Sequence, residues 1–400
     1  VSEPAEPVDA APEPQAASAR GVLLGLAGLF LRLGATAFGG PAAHVALMEH
    51  ELVRQRAWLS HEEFLDFVGA TNLIPGPSST ELALHIGHKR AGVPGLIVAG
   101  VAFILPAALM ATALAAAYQR YGAVPAVGGI LVGVKAVVVA VVVQALFGLG
   151  RAAAVGKGWG MSLLALGSFV AVERGAGELV VLLAAGLVAL AARALRRPGG
   201  PPVAPPGMAL LPFGSLAALG AVGAAPAAPG LGALAWVFLK IGSLVFGSGY
   251  VLLAFLRSEL VEGRGWLSET ALLDAIAVGQ LTPGPVFTAA SFIGYLLAGG
   301  AGAAVATIAI FLPAFVLVGL SGPLIPRLRR SPLAGAFLDG VNVASLALMA
   351  RVTWQLGRAA LVDWMTIGLA VASAALLFRR RVHPGWLMAG GAIVGLLRLL

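Results

Sequence analysis

The chain contains no cysteine. Disulfides, thiolate metal sites and cysteine nucleophiles are therefore excluded. Charge is scarce too: only 11% of the 400 residues are Asp, Glu, Lys or Arg, against about 25% in soluble domains. No G-x-x-x-x-G-K-[ST] stretch and no H-E-x-x-H stretch occurs, so neither a Walker-type nucleotide loop nor a zinc-protease helix is written in the motifs. No cofactor or metal is expected. What fills the chain instead is apolar: 59% hydrophobic residues and a mean hydropathy of +0.94. Runs such as Val93 to Tyr118 and Val124 to Leu149 are long enough to span a bilayer. These features specify an all-α polytopic membrane protein whose first partner is the lipid bilayer.

The formal charge of +8 does not signal nucleic acid. The basic residues stand singly or at the ends of apolar runs, where positive-inside placement accounts for them. Residues 1–20 are rich in Pro, Ala and Glu without an apolar stretch, and read as a disordered acidic tail, not a signal peptide.

The chain repeats itself. "FLRLGATAFGG" from Phe30 matches "FLKIGSLVFGS" from Phe238, and "ELVRQRAWLS" from Glu51 matches "ELVEGRGWLS" from Glu259. Asp66 falls on Asp274, and Pro75-Gly76-Pro77 falls on Pro283-Gly284-Pro285. Without gaps, 19 of 48 positions from Phe30 to Pro77 are identical 208 residues later. The matches include Trp, Glu, Asp, Arg and Pro, which apolar bias does not supply. Beyond the Pro-Gly-Pro the offset becomes 207, where "FILP" at Phe103 meets "IFLP" at Ile310. The expected organisation is a first repeat at 21–195, a Pro/Gly/Ala-rich linker at 196–231 and a second repeat at 232–400.

Charge at equivalent loops sets their orientation. The tip from Glu173 to Glu178 is net acidic, whereas its counterpart carries Arg379 to Arg381. One basic residue, Arg120, stands where the second half has Arg327, Arg329 and Arg330. Conversely, Lys89 and Arg90 oppose an uncharged stretch from Ala298 to Ala303. Equivalent loops then lie on opposite sides of the membrane, so the repeats are inverted. About five crossings per half are expected, near 21–40, 93–118, 124–149, 158–173 and 177–194, then 232–249, 300–325, 333–356, 361–378 and 383–400. Between the first two crossings of each half, the chain reads as an amphipathic segment followed by a broken helical hairpin.

The break is the candidate site. Proline removes a backbone donor and disfavours helix before it, and unpaired backbone groups in hydrocarbon cost several kcal/mol each. Breaks at equivalent positions of inverted halves fit the discontinuous helices of secondary transporters. Polar neighbours flank both: Thr71, Asn72, Ser78, Ser79 and Thr80 in one, Gln280, Thr282, Thr288 and Ser291 in the other. A helix starting after each Pro-Gly-Pro offers free N–H groups and a positive dipole end to an anion. Arg32 and Lys240 occupy one position in the first crossing of each half, where a cation costs about 2.5–3.5 kcal/mol on insertion scales. Both are expected to face the bundle and the substrate. Gating or coupling is assigned to Phe38, Gly39, Gly40 and His44, to Lys135 and its counterpart Asn342, and to Asp339 one turn earlier. His85 and His88 lack histidine counterparts.

The "FGGP" at Phe38, the "ELV…WLS" stretch, the Pro-Gly-Pro and the "FILP" run, carried twice, resemble the chromate transporter family in its long two-domain form. The likeness covers Gly21 to Leu400. It implies export of chromate, with sulfate as the structural analogue, across the bacterial inner membrane, giving chromate resistance. Alternating access between the halves would carry the anion, driven by membrane potential with or without a proton. Rival readings are proton-coupled uptake of sulfate or a related oxyanion, and an intramembrane enzyme using His44, Glu81, His85 and His88. A homodimer is compatible with either transport reading.

Overall fold

The computed structural model describes residues 19–38, 40–71, 73–154, 159–195, 229–246, 251–321, 331–380 and 382–398. The first half contributes α1 (Ala19–Thr36), α2 (Gly40–Glu49), a π-helical turn (His50–Gln55), α3 (His61–Thr71), α4 (Ser78–Tyr121), α5 (Pro125–Ala154), α6 (Trp159–Glu173) and α7 (Glu178–Leu195). The second contributes α8 (Leu231–Leu244), α9 (Leu252–Leu256), a π-helical turn (Arg257–Glu262), α10 (Glu269–Leu281), a 3-10 turn (Val286–Thr288), α11 (Ala289–Ser321), α12 (Pro332–Ala360), α13 (Trp364–Arg380) and α14 (Pro384–Leu397). The elements follow the same order in both halves, so the repeat in the sequence is a repeat in the fold. No strand occurs among the described residues. Six helices there are long and apolar enough to cross a membrane. Trp159, Trp364 and Trp386, near the starts of α6, α13 and α14, and Leu109 and Leu163 are exposed. They form the surface that acyl chains and the headgroup boundary cover. The tail, most of the linker and Arg327, Arg329, Arg330 and Arg381 lie outside the described residues.

Two of the longest helices double back. Ala91 and Gly92 leave helical geometry within α4, and Ala298 and Gly299 do so within α11. Gly92 has φ +61° and Gly299 has φ +62°, a region where a Cβ would be strained. The chain reverses there: Gly87 packs on the Gly95 carbonyl, and Gly294 on that of Gly302. Each helix is thus a short limb from the Pro-Gly-Pro, residues 78–90 in α4, and a long limb, residues 93–121 in α4.

The segment expected as the first crossing, 21–40, contains α1, which is long and apolar enough to cross. After α1 stops at Thr36 the chain returns along it, bringing Glu51 to Arg32 and Trp58 beside Gly25. Gly34 packs on the Phe103 carbonyl, midway along the long limb of α4, so α1 ends deep in the protein. The second half does the same with α8, where Gly242 packs on the Ile310 carbonyl and Lys240 meets Glu259. Gly40, at φ +76°, allows the reversal. Each half thus holds two doubled-back hairpins with interrupted tips, where the sequence revealed one.

The inversion is visible in contacts between equivalent limbs. Leu96 lies near Gly319, Gly100 packs on Phe315, and Gln119 Nε2 donates to Leu296 O at 3.3 Å. Numbers rise along α4 as they fall along α11, so equivalent helices run antiparallel. The halves also exchange helices: α6 and α7 pack on α12, and α13 and α14 pack on α5. Small residues bring these backbones close, with Gly133 on the Gly391 carbonyl and Gly340 on the Ala185 carbonyl, as membrane helices require.

Candidate functional site: the convergent tips

The tips of the hairpins meet across the two halves. Gly76 N–H donates to Val245 O at 2.7 Å, and Gly284 N–H donates to Ala37 O at 2.8 Å. Ala37 and Val245 follow the ends of α1 and α8, and are themselves equivalent. Each Pro-Gly-Pro is therefore satisfied by the other half's tip, which is how broken backbone survives away from water. Gly76 also packs on Ala314 of α11, and Gly284 on Ala107 of α4. Gly76 has φ +144° and Gly284 has φ +87°.

The sequence-predicted residues fall into three groups. At the first break, Pro77 caps α4 in an extended conformation, and Thr80 and Glu81 donate their N–H groups to Pro77 O at 2.8 and 3.0 Å. The earlier N–H groups, of Ser78 and Ser79, point out of the helix start. Ser79, Thr80 and Glu81 are buried, and Ser78 and Pro75 half-buried. At the second break, Thr282 Oγ1 donates to Gly279 O at 3.2 Å, and Thr288 Oγ1 to Pro285 O at 2.7 Å. Pro283 and Pro285 are buried, and Gln280 Nε2 is buried without a hydrogen-bond partner. Asn72 and Gly39 lie outside the described residues.

The predicted cations are already engaged. Arg32 pairs with Glu51 at 2.5 Å and Lys240 with Glu259 at 2.5 Å. Both pairs tie a helix to the returning limb of its own hairpin, about one turn short of the tip. The signal was present in the sequence, because Glu51 and Glu259 open the repeated "ELV" stretch.

The gating candidates are scattered around the tips. Phe38 packs edge-on against His383, whose Nε2 lies 3.3 Å from Phe38 O. His44 is buried, with Nε2 2.9 Å from the same Ala37 carbonyl that receives Gly284. His85 stacks on Phe67 with ring centroids 5.7 Å apart. No group of three His, Asp or Glu residues able to hold a metal comes together among the described residues. Asn342 and Asp339 are half-buried on α12. Lys135 has a partner that sequence reasoning did not assign it: Asp274 of α10 at 2.7 Å. Asp274, 3% exposed, also accepts from Tyr118 Oη at 2.8 Å. This buried triad joins the first half's α4 and α5 to the second half's broken hairpin. Asp274 was visible as the twin of Asp66, but its tie to Lys135 spans the two halves and leaves no local pattern.

Inverted repeats, discontinuous helices meeting across the halves and the Lys135–Asp274 pair inside the bundle are the architecture of a secondary membrane transporter; Arg32, expected to face the bundle, is exposed beside Glu51. The sequence profile described as Chromate transporter matches residues 24–190 and 232–396. A chromate transport protein of Cupriavidus metallidurans is 32% identical over 379 residues, covering 92% of this chain and 91% of its own. A probable chromate transport protein of Synechococcus elongatus is 32% identical over 384 residues, covering 92% and 93%. A chromate transport protein of Pseudomonas aeruginosa is 30% identical over 356 residues, covering 87% and 85%. No solved structure matches the chain. The chain belongs to the chromate transporter family, and is a multi-pass membrane protein.

Proposed function

We propose that the protein carries chromate out of the bacterial cytoplasm across the inner membrane, by alternating access between its inverted halves. The observation that carries this reading is the convergence of the two Pro-Gly-Pro breaks, each held by a backbone hydrogen bond from the opposite half. The helix start at Ser78 presents N–H groups that have no partner within the helix and a positive dipole end, aided by the hydroxyls of Ser78, Ser79 and Thr80, which suits a tetrahedral oxyanion. Gln280 adds an unpartnered donor from the second half. An inside-negative potential favours export by about 2.3 kcal/mol per net charge per 100 mV, so no nucleotide is required. Arg32 and Lys240 hold the hairpins that form the tips. Lys135 with Asp274, His44, and Asp339 with Asn342 lie where the halves must slide. The anion crosses chemically unchanged, sulfate competes for the same tips, and two chains assemble as a homodimer.

The test is flux in proteoliposomes. Radiolabelled chromate should move toward the positive side under an imposed potential, and excess sulfate should slow it. Absence of chromate movement in either direction overturns the reading. Cross-linking in native membranes should give a species of twice the chain mass if the dimer is correct.

A further inference from the structure

Among the described residues Glu81 is the one carboxylic acid at the tips, and neither of its carboxyl oxygens has a hydrogen-bond partner there. Its residue is 0% exposed, and both carboxyl oxygens are buried without a hydrogen-bond partner. No cation pairs with it. It stands in the first turn and a half of the helix that leaves the Pro-Gly-Pro. A Cβ added at Gly76 would collide with its Oε1, so the carboxyl lies directly against the break. Thr80 Oγ1, the preceding side chain, and His85 Nε2, one turn later, are also buried and unpartnered.

Charges on the surrounding elements do not compensate it. On α1, Arg32 is held by Glu51; on α2, His44 is held by the Ala37 carbonyl and Glu49 by Arg54 and His61. On α3, Glu63 is bonded to Lys89, which belongs to α4 itself; Glu62 and Asp66 are exposed. On α10, Glu269 is held by Arg257, and Asp274 by Lys135. The 3-10 turn carries no titratable side chain, and α11 carries only Tyr295. An ionised carboxylate so buried and unpaired is strongly disfavoured. It would also place a negative charge on the helix start that the oxyanion needs.

We propose that Glu81 is the proton carrier of the transport cycle. The oxyanion enters the break only when Glu81 is protonated, so each dianion travels with one proton and one net negative charge. The step is simple: a proton from water on the open side adds to the Glu81 carboxylate, and leaves to water on the other side with the anion. This inference rests on the oxyanion site at the tips proposed above.

The experiment uses the full chain in proteoliposomes clamped at zero potential, at alkaline pH on both sides so that chromate is a dianion. A gradient of one pH unit should concentrate chromate tenfold on the more alkaline side with the wild type. Glu81→Asp should keep the tenfold ratio. Glu81→Gln, permanently neutral, should bring chromate to a ratio of one, while still moving it when a potential is imposed. A wild-type ratio of one alongside potential-driven flux overturns the proton role and leaves the anion site standing, whether or not the glutamine variant folds. An unchanged tenfold ratio in Glu81→Gln also overturns it. Absence of chromate flux under a potential in the wild type overturns the oxyanion site itself.

Discussion

The two breaks share a backbone and differ in chemistry. Both turn at a positive-φ glycine, and both borrow a carbonyl from the opposite half. At the second break the hydroxyls are spoken for: Thr288 bonds Pro285 O, and Ser291 bonds Thr307 at 2.6 Å. At the first, Thr80, Glu81 and His85 each carry a buried polar atom without a partner. At the second break Gln280 Nε2 is the buried atom without a partner, so the first gathers more of the unsatisfied groups that are retained where a ligand or proton meets them. The charged triad shows the opposite bias. Lys135, Tyr118 and Asp274 lock the second half's hairpin, while Asp66 is exposed and Asn342 stands in for the lysine.

The largest effect should come from breaking that fastening. Lys135→Met leaves Asp274 buried with only Tyr118, and should lower stability by about 3–5 kcal/mol, as lost buried pairs do. Thermal unfolding in detergent reads it. Lys135→Met with Asp274→Leu should recover most of the loss, whereas Asn342→Ala on the other side should change little. Next come the hairpin pairs. Arg32→Ala and Lys240→Ala each remove the nearer of two cations from a partly buried glutamate, leaving Arg56 on Glu51 and Arg264 on Glu259, and both should abolish chromate flux while the protein still inserts. Unequal losses would show that the two hairpins are not equivalent. Swapping the glycines separates the breaks further. Gly76→Ala meets the Glu81 carboxyl and should disturb the pH dependence of flux. Gly284→Ala meets Ala107 and the Gly34 carbonyl, and should lower stability by about 1–3 kcal/mol while leaving the pH dependence of flux unchanged.

The smallest effect lies at the start of α3. Ser60 Oγ accepts from Glu63 N–H at 3.1 Å, and Glu63 accepts from Ser60 N–H at 3.0 Å. Ser60→Ala should cost about 0.5–2 kcal/mol by removing this cap. The bond from Lys89, then that from Ser60 N–H, holds the Glu63 carboxyl below its ordinary range. A depressed carboxyl stabilises the fold above its unfolded pKa, and that contribution fades as pH falls through the folded one. The penalty of Glu63→Gln should therefore be full near neutrality and shrink on acidification below about pH 4.3. Equal unfolding shifts at pH 7 and pH 3 would contradict it.

Much of this was legible in the residues. The repeat, its inversion and the twin breaks rest on identities and charges that apolar composition does not mimic. The return of the chain along α1 was not legible, because an apolar run of 18 residues does not say what packs on it; the Arg32–Glu51 pair does. Glu81 was visible only as a supposed enzyme ligand among histidines, which the fold sets against separate partners. Its solitude, which points to a proton, is a property of packing. Lys135 stood out by its asymmetry, but its partner lies in the other repeat at no fixed spacing.

The crossed bonds from Gly76 to Val245 and from Gly284 to Ala37 also set a timetable for synthesis. When the ribosome has made only the first repeat, its Pro-Gly-Pro has no carbonyl to dock on, and its α7 has no α12 to lie against. The early half must therefore wait in the membrane, partly open, until α12, which begins at Pro332, has arrived. Maturation of this protein is a joining of two incomplete pieces, so a truncated chain should be a substrate for membrane proteases before it is ever a transporter.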